Sequence, residues 1–144
     1  MTLPLDGGCL CGAVRYRVSA APLQAGYCHC LFCRKSTGAP VLAWAAVPLE
    51  GFAYIRGRPA EYRSSAWGLR QFCGRCGAQI LYREAADATE VSINLATLDD
   101  PEAIRPDHHI WTRRRIDWFE TADDFPRYAG QGPASQNPTK EAET

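Results

Sequence analysis

From Ala13 to Ala20 the sequence AVRYRVSA sets Val14, Tyr16 and Val18 between Arg15 and Arg17. A period of two places the apolar set on one face, so this stretch is expected to form a half-buried strand. VLAWAAV, starting at Val41, is almost unbroken in apolar character and predicts a buried strand. FAYIRGRPAEYRSS, from Phe52, reads as a hairpin with Gly57, Arg58 and Pro59 near its turn. AQILYRE, EVSINLATL, HHIWT and IDWF supply four further strand candidates.

Helical signals are few and short. Leu31 to Thr37 has room for one turn before Gly38. Asp99-Asp100-Pro101-Glu102 resembles a helix start, with an Asp cap and Pro in the first turn, cut short by Pro106. From Gly130, GQGPASQNPTKEAET is polar, rich in Gly and Pro, and reads as a flexible tail. No repeat or linker interrupts the body. The expectation is a mainly β, single-domain, antiparallel fold over 1–128, with few short helices and a polar tail at 129–144.

Composition narrows the function classes. A chain of 144 residues suits one domain able to bury its own core. Sixteen basic and sixteen acidic residues cancel, which argues against a nucleic-acid binder or an anionic-membrane binder. The run Arg113-Arg114-Arg115 is expected to be a solvated strand face. Nearly all basic residues are Arg, Lys35 and Lys140 excepted, which carries no functional weight. The opening MTLPLDGGCLCG lacks the basic and apolar regions of a signal peptide, and no segment approaches the ~20 apolar residues of a membrane span. A cytoplasmic location is expected, where thiols stay reduced.

Seven cysteines then become the main signal. An odd count cannot pair fully as disulfides within one chain, so metal ligation is the expected use. FCGRCG spaces Cys73 and Cys76 as in a zinc knuckle, with Gly after each. GGCLCG sets Cys9 and Cys11 two apart, where an extended chain would aim both sulfurs the same way. Together these pairs make a closed four-cysteine site of the structural kind. CHCLFCRKSTGAP leaves Cys28, Cys30 and Cys33 over, three ligands with one position open. Two other arrangements stand beside this one. His108 or His109 folds back and closes the second site, or Cys30 and Cys33 join Cys73 and Cys76 as a zinc ribbon.

The segments GGCLCGAVRY, CHCLFCRKSTGAP and FCGRCG, in this order, resemble the glutathione-dependent formaldehyde-activating enzyme family, with TLDD and HIWTRRRIDW similar to its closing segment. The resemblance runs from about Gly7 to Trp118. It implies a β-tent fold of the kind found in methionine sulfoxide reductase B. It implies one structural zinc on Cys9, Cys11, Cys73 and Cys76, and a second, active-site zinc on Cys28, Cys30 and Cys33. The activity implied joins glutathione to formaldehyde, giving S-hydroxymethylglutathione, and is a carbon–sulfur lyase in reverse.

Three thiolates weaken the Lewis acidity of an ion, so an incoming thiol, bound as thiolate, is the expected eighth ligand, alternating with water. His29 is a candidate proton carrier. Arg34, with Lys35, is a candidate for holding a substrate carboxylate. Trp44, Trp67, Trp111 and Trp118 are expected mainly in the core. The expected partner is a small-molecule thiol, with glutathione the first candidate. The alternative function is a non-catalytic zinc-dependent thiol carrier or protein-binding module.

Overall fold

The computed structural model describes residues 1–132. Within them the chain gathers into two compact units. One comprises Met1–Ala25 and Trp44–Arg105; the other comprises Gly26–Ala43 and the chain from Pro106 onward.

The first unit carries most of the strands. β1 (Leu5–Gly8), β2 (Arg15–Val18) and β5 (Phe52–Arg56) pair antiparallel in the order β1-β2-β5. A second antiparallel series runs β4 (Leu42–Pro48), β9 (Glu90–Asn94), β8 (Gln79–Glu84), β7 (Gly68–Phe72) and β6 (Ala60–Arg63). The alternation in β2 is realised as expected. Tyr16 and Val18 are buried while Arg17 faces solvent and pairs with Asp6. β4 buries Trp44 to Val47 without a break, and Val91 and Ile93 of β9 are buried beside it in register, opposite Val47 and Ala45. Burying each such aliphatic side chain contributes about 1.5–3 kcal/mol.

The expected hairpin over Phe52–Ser65 does not form. β5 pairs with β2 and β6 pairs with β7, so the two strands leave Gly57 for different partners. Two contacts explain this. Phe52 stacks on Tyr16, with ring centroids 5.3 Å apart. Gly57 has φ +68°, and a Cβ there would lie 2.1 Å from the Ala13 carbonyl oxygen. The close backbone approach and the ring contact hold β5 on β2. Sequence periodicity also passes over β1, β3 (Gln24–Cys28) and β7, which are short and contain Gly. The helix-start signal at Asp100 becomes a single 3₁₀ turn, Pro101–Ala103, and the Asp100 side chain accepts the Glu102 N–H at 3.2 Å.

In the second unit, the end of β3 pairs with β10 (His109–Ile110), and this pairing is parallel, not antiparallel. The one α-helix, α1 (Leu31–Thr37), closes at Gly38, whose φ of 72° and N–H bond to Arg34 O at 2.8 Å form a left-handed cap. IDWF is a turn rather than a strand, and Trp118 is exposed. The arginine run is likewise not on a strand. It follows Trp111 through a 3₁₀ turn, Thr112–Arg114, and Arg113 lies over the Trp111 ring at 4.9 Å. Trp44 and Trp111 are buried as expected, and Trp67 is half-buried. The start of the expected tail is tied down, because the Trp111 N–H donates to Gly130 O at 2.7 Å. The rest of that tail, 133–144, lies outside the described residues. Among the described residues, no helix is long and apolar enough to cross a membrane.

Candidate metal centres and the histidine cleft

Each cysteine group assembles inside one unit. In the first, the sulfurs of Cys9, Cys11, Cys73 and Cys76 lie within 4.8 Å of one another. Neither pair is on a strand. Cys9 and Cys11 occupy the turn between β1 and β2, and Cys73 and Cys76 the turn between β7 and β8. The expected extended geometry of the Cys9–Cys11 pair is therefore replaced by a tight turn. Gly12 and Gly77 make these turns possible, each with φ +79°, a region costly for any residue with a Cβ. The turns aim backbone N–H groups at sulfur. Val14 N–H reaches Cys9 Sγ at 3.2 Å, and Arg75 and Cys76 N–H reach Cys73 Sγ at 3.4 Å.

The second cluster comes from one continuous stretch. Cys28 ends β3, Cys30 caps α1 and Cys33 lies in its first turn. Cys30 takes the place of the usual Ser or Asp cap, its sulfur accepting the Cys33 N–H at 3.3 Å. All three are buried and lie within 4.8 Å of one another. The group so defined contains no histidine, and it shares no cysteine with the first, so the zinc-ribbon partition is not the one found.

The electrostatics test whether a cation suits these nests. Hydrogen bonds from Cys30 and Cys33, then burial, push the Cys28 thiol well above its ordinary range. The Cys28 bond lowers Cys30, but Cys33 and burial outweigh it and push Cys30 up to about 12. The Cys28 and Cys30 thiols are thus held in their protonated form, and a bound cation would favour them as thiolates. In the first cluster the Ala78 and Cys11 backbone N–H groups bring Cys76 down to about 6. The Ala13 N–H lowers Cys11, yet burial and the neighbouring sulfurs raise it to about 11. Both donor sets are able to hold a metal ion.

His29, between two of these cysteines, is 3 % exposed. Its Nε2 lies 2.9 Å from His109 Nδ1, while its Nδ1 is buried without a partner. Burial first, then His109, lowers its pKa to about 4. His109 is fully engaged, its Nε2 lying 3.1 and 3.2 Å from the two Asp123 carboxylate oxygens. His108 is turned to Asp107, with Nδ1 and Oδ1 2.6 Å apart. A cleft of about 260 Å³ is lined by His29, His109, Thr121, Arg115 and Arg127 among others, but by none of the cysteines. Arg34 stands half-exposed on α1 and is not part of that lining. Asp123, Thr121 and Arg127 had no motif to mark them, and Arg115 stood out in the sequence only within an arginine run and the HIWTRRRIDW segment. They reach the site through the turn after Trp111 and the chain leading back to β10.

A family model described as glutathione-dependent formaldehyde-activating enzyme matches residues 4–114. A Halomonas elongata protein, whose provisional name repeats that description, is 33 % identical over 129 residues, covering 81 % of this chain and 80 % of its own. A crystal structure of a Rhodobacter sphaeroides protein matches with a TM-score of 0.57 and 24 % identity, covering 85 % of this chain and 98 % of its own, and bears on the fold alone.

Proposed function

The chain belongs to the glutathione-dependent formaldehyde-activating enzyme family, and on that premise we propose that it is a zinc-dependent enzyme joining a thiol, glutathione first among candidates, to formaldehyde. The product would be S-hydroxymethylglutathione, and the reverse direction is a carbon–sulfur lyase reaction. One observation carries this reading. Three buried sulfurs gather with no histidine or carboxylate from the described residues among them, next in sequence to a histidine that lines a cleft and has a nitrogen to spare.

Cys9, Cys11, Cys73 and Cys76 would hold a structural zinc. Cys28, Cys30 and Cys33 would hold a second zinc, which when bound would supply an open coordination position that favours the thiolate form of an incoming thiol. The reaction is an addition. A bond forms from sulfur to the carbonyl carbon as the C=O π pair moves to oxygen. The sulfur gives up one proton and the oxygen gains one. His29 is the residue assigned to move that proton, at Nδ1. Arg34, directly after Cys33, is assigned the substrate carboxylate, which its planar fork fits. The cleft is smaller than the ~300–1,000 Å³ of drug-sized sites. That suits a small aldehyde and the thiol-bearing part of its partner.

Native mass spectrometry with and without glutathione tests this. The expected spectrum has two zinc ions per chain and a specific glutathione adduct that Cys30→Ser abolishes, with hydroxymethyl adduct formation assayed next. Two zinc ions and indifference to every thiol offered would remove the enzyme reading and leave a second structural site in its place.

A further inference from the structure

Beyond the clusters and His29, a line of groups runs inward from the cleft wall within the second unit. Asp123 is a fixed acceptor. Its Oδ1 accepts the Phe125 N–H at 3.0 Å and pairs with Arg127 at 3.4 Å. The Thr121 hydroxyl, then the Phe125 N–H and His109, hold its carboxyl well below the usual range. It is therefore a carboxylate, and a carboxylate has no proton to give. Of the two His109 nitrogens, Nε2 must carry the hydrogen that bonds to Asp123.

His109 itself cannot turn away. Its backbone N–H donates to Pro126 O and its carbonyl accepts from Tyr128, both at 2.9 Å. Its ring is 1 % exposed and stacks on Tyr27 with centroids 4.9 Å apart. Arg127 pairs with the Asp123 carboxylate, and Arg115 lines the same cleft. In the neutral pair, His109 Nδ1 is a lone pair. His29 Nε2 must then be the donor across the 2.9 Å contact. That leaves a lone pair on His29 Nδ1, the nitrogen that is buried and has no partner.

We infer that Asp123 and His109 are positioning residues that fix His29 in its Nε2–H tautomer, so that Nδ1 is presented as a hydrogen-bond acceptor for the S–H or O–H group of a thiol or its hydroxymethyl adduct. This deepens the thiol-adduct reading and rests on it. The chain of donors runs one way because its far end cannot donate. The substrate supplies the hydrogen bond that His29 Nδ1 lacks within the protein.

The test is ¹⁵N NMR of histidine-labelled, metal-replete protein, together with steady-state kinetics on Asp123→Asn. Wild type is expected to show His29 with Nδ1 unprotonated and Nε2 protonated. An Asn amide can donate to His109 Nε2, which reverses the chain and moves the His29 proton to Nδ1. The rate constant kcat should then fall roughly a hundredfold or more, with KM changed less than about threefold. A protonated Nδ1 in wild type overturns the inference, and so does a rate loss in Asp123→Asn with the His29 tautomer unchanged. A reversed tautomer with kcat within about twofold of wild type also overturns it. Wild-type protein with the expected tautomer but no adduct-forming activity would sink the thiol-adduct reading and leave the positioning chain standing.

Discussion

In the first unit four cysteines arrive as two pairs from two hairpin turns; in the second, three arrive from one segment that passes from a strand end into a helix. The paired design would saturate a tetrahedral ion with protein sulfur, and it brings together hairpin turns distant in sequence. The continuous design runs out of sulfur. His29, the residue between its first two cysteines, is bonded to His109 instead. Burial differs too. The four-cysteine group leaves Cys11 exposed and Cys76 half-buried, while all three members of the other group are buried. A closed ion can sit near water because it has nothing to protect. An open one needs a dry surround in which a single charge or lone pair counts.

The sharpest way to break this comparison is to remove one ligand from each side. Cys73→Ser should have the largest effect. A structural zinc contributes roughly 10–16 kcal/mol of apparent folding free energy against a net stability of ~5–15 kcal/mol. No single buried aliphatic side chain, at about 1.5–3 kcal/mol, can offset that. Circular dichroism should show loss of cooperative unfolding, and a chelator strong enough to strip both ions should do the same to wild type. A variant that melts like wild type would show that the first cluster is not the structural one.

Cys30→Ser comes next. It should lose one metal ion by native mass spectrometry and all adduct formation, yet keep a cooperative transition. If it unfolds as completely as Cys73→Ser, the division into structural and open sites fails. His29→Ala should keep both ions and lower kcat by roughly 10²–10⁴-fold. Equal thiol binding with no turnover in either protein would favour a carrier over an enzyme.

The smallest effect concerns an ion pair within the four-cysteine unit. Arg15 holds Asp99 through both guanidinium nitrogens, and this bonding, ahead of the simple charge attraction, lowers the Asp99 carboxyl. Its folded value lies below the unfolded value of about 3.9. The stabilisation is therefore complete above roughly pH 4 and is lost as pH falls through the folded value. The pair is largely exposed, so Asp99→Asn should cost well under about 1 kcal/mol at pH 7 and flatten that part of the acid limb in urea titrations.

Much of this was legible in the chain itself. The mainly β class followed from short-range periodicity, and a short helical turn over Leu31–Thr37 from the room before Gly38, while its Cys30 cap emerged only in the fold. The two cysteine pairs and the triplet were visible as spacing, because turn geometry is local and brings residues two or three apart to one point, whereas the meeting of the pairs across 62 positions was decided by the fold. Tertiary structure decided what depends on partners distant in sequence. Phe52 and Gly57 made β5 a neighbour of β2 rather than of β6. His109 met His29 across 80 positions, and Asp123 joined them from an irregular segment with no motif. Spacing can name the sulfur ligands of an ion. Which nitrogen of His29 is left without a partner depends on the hydrogen bonds that the fold makes around it.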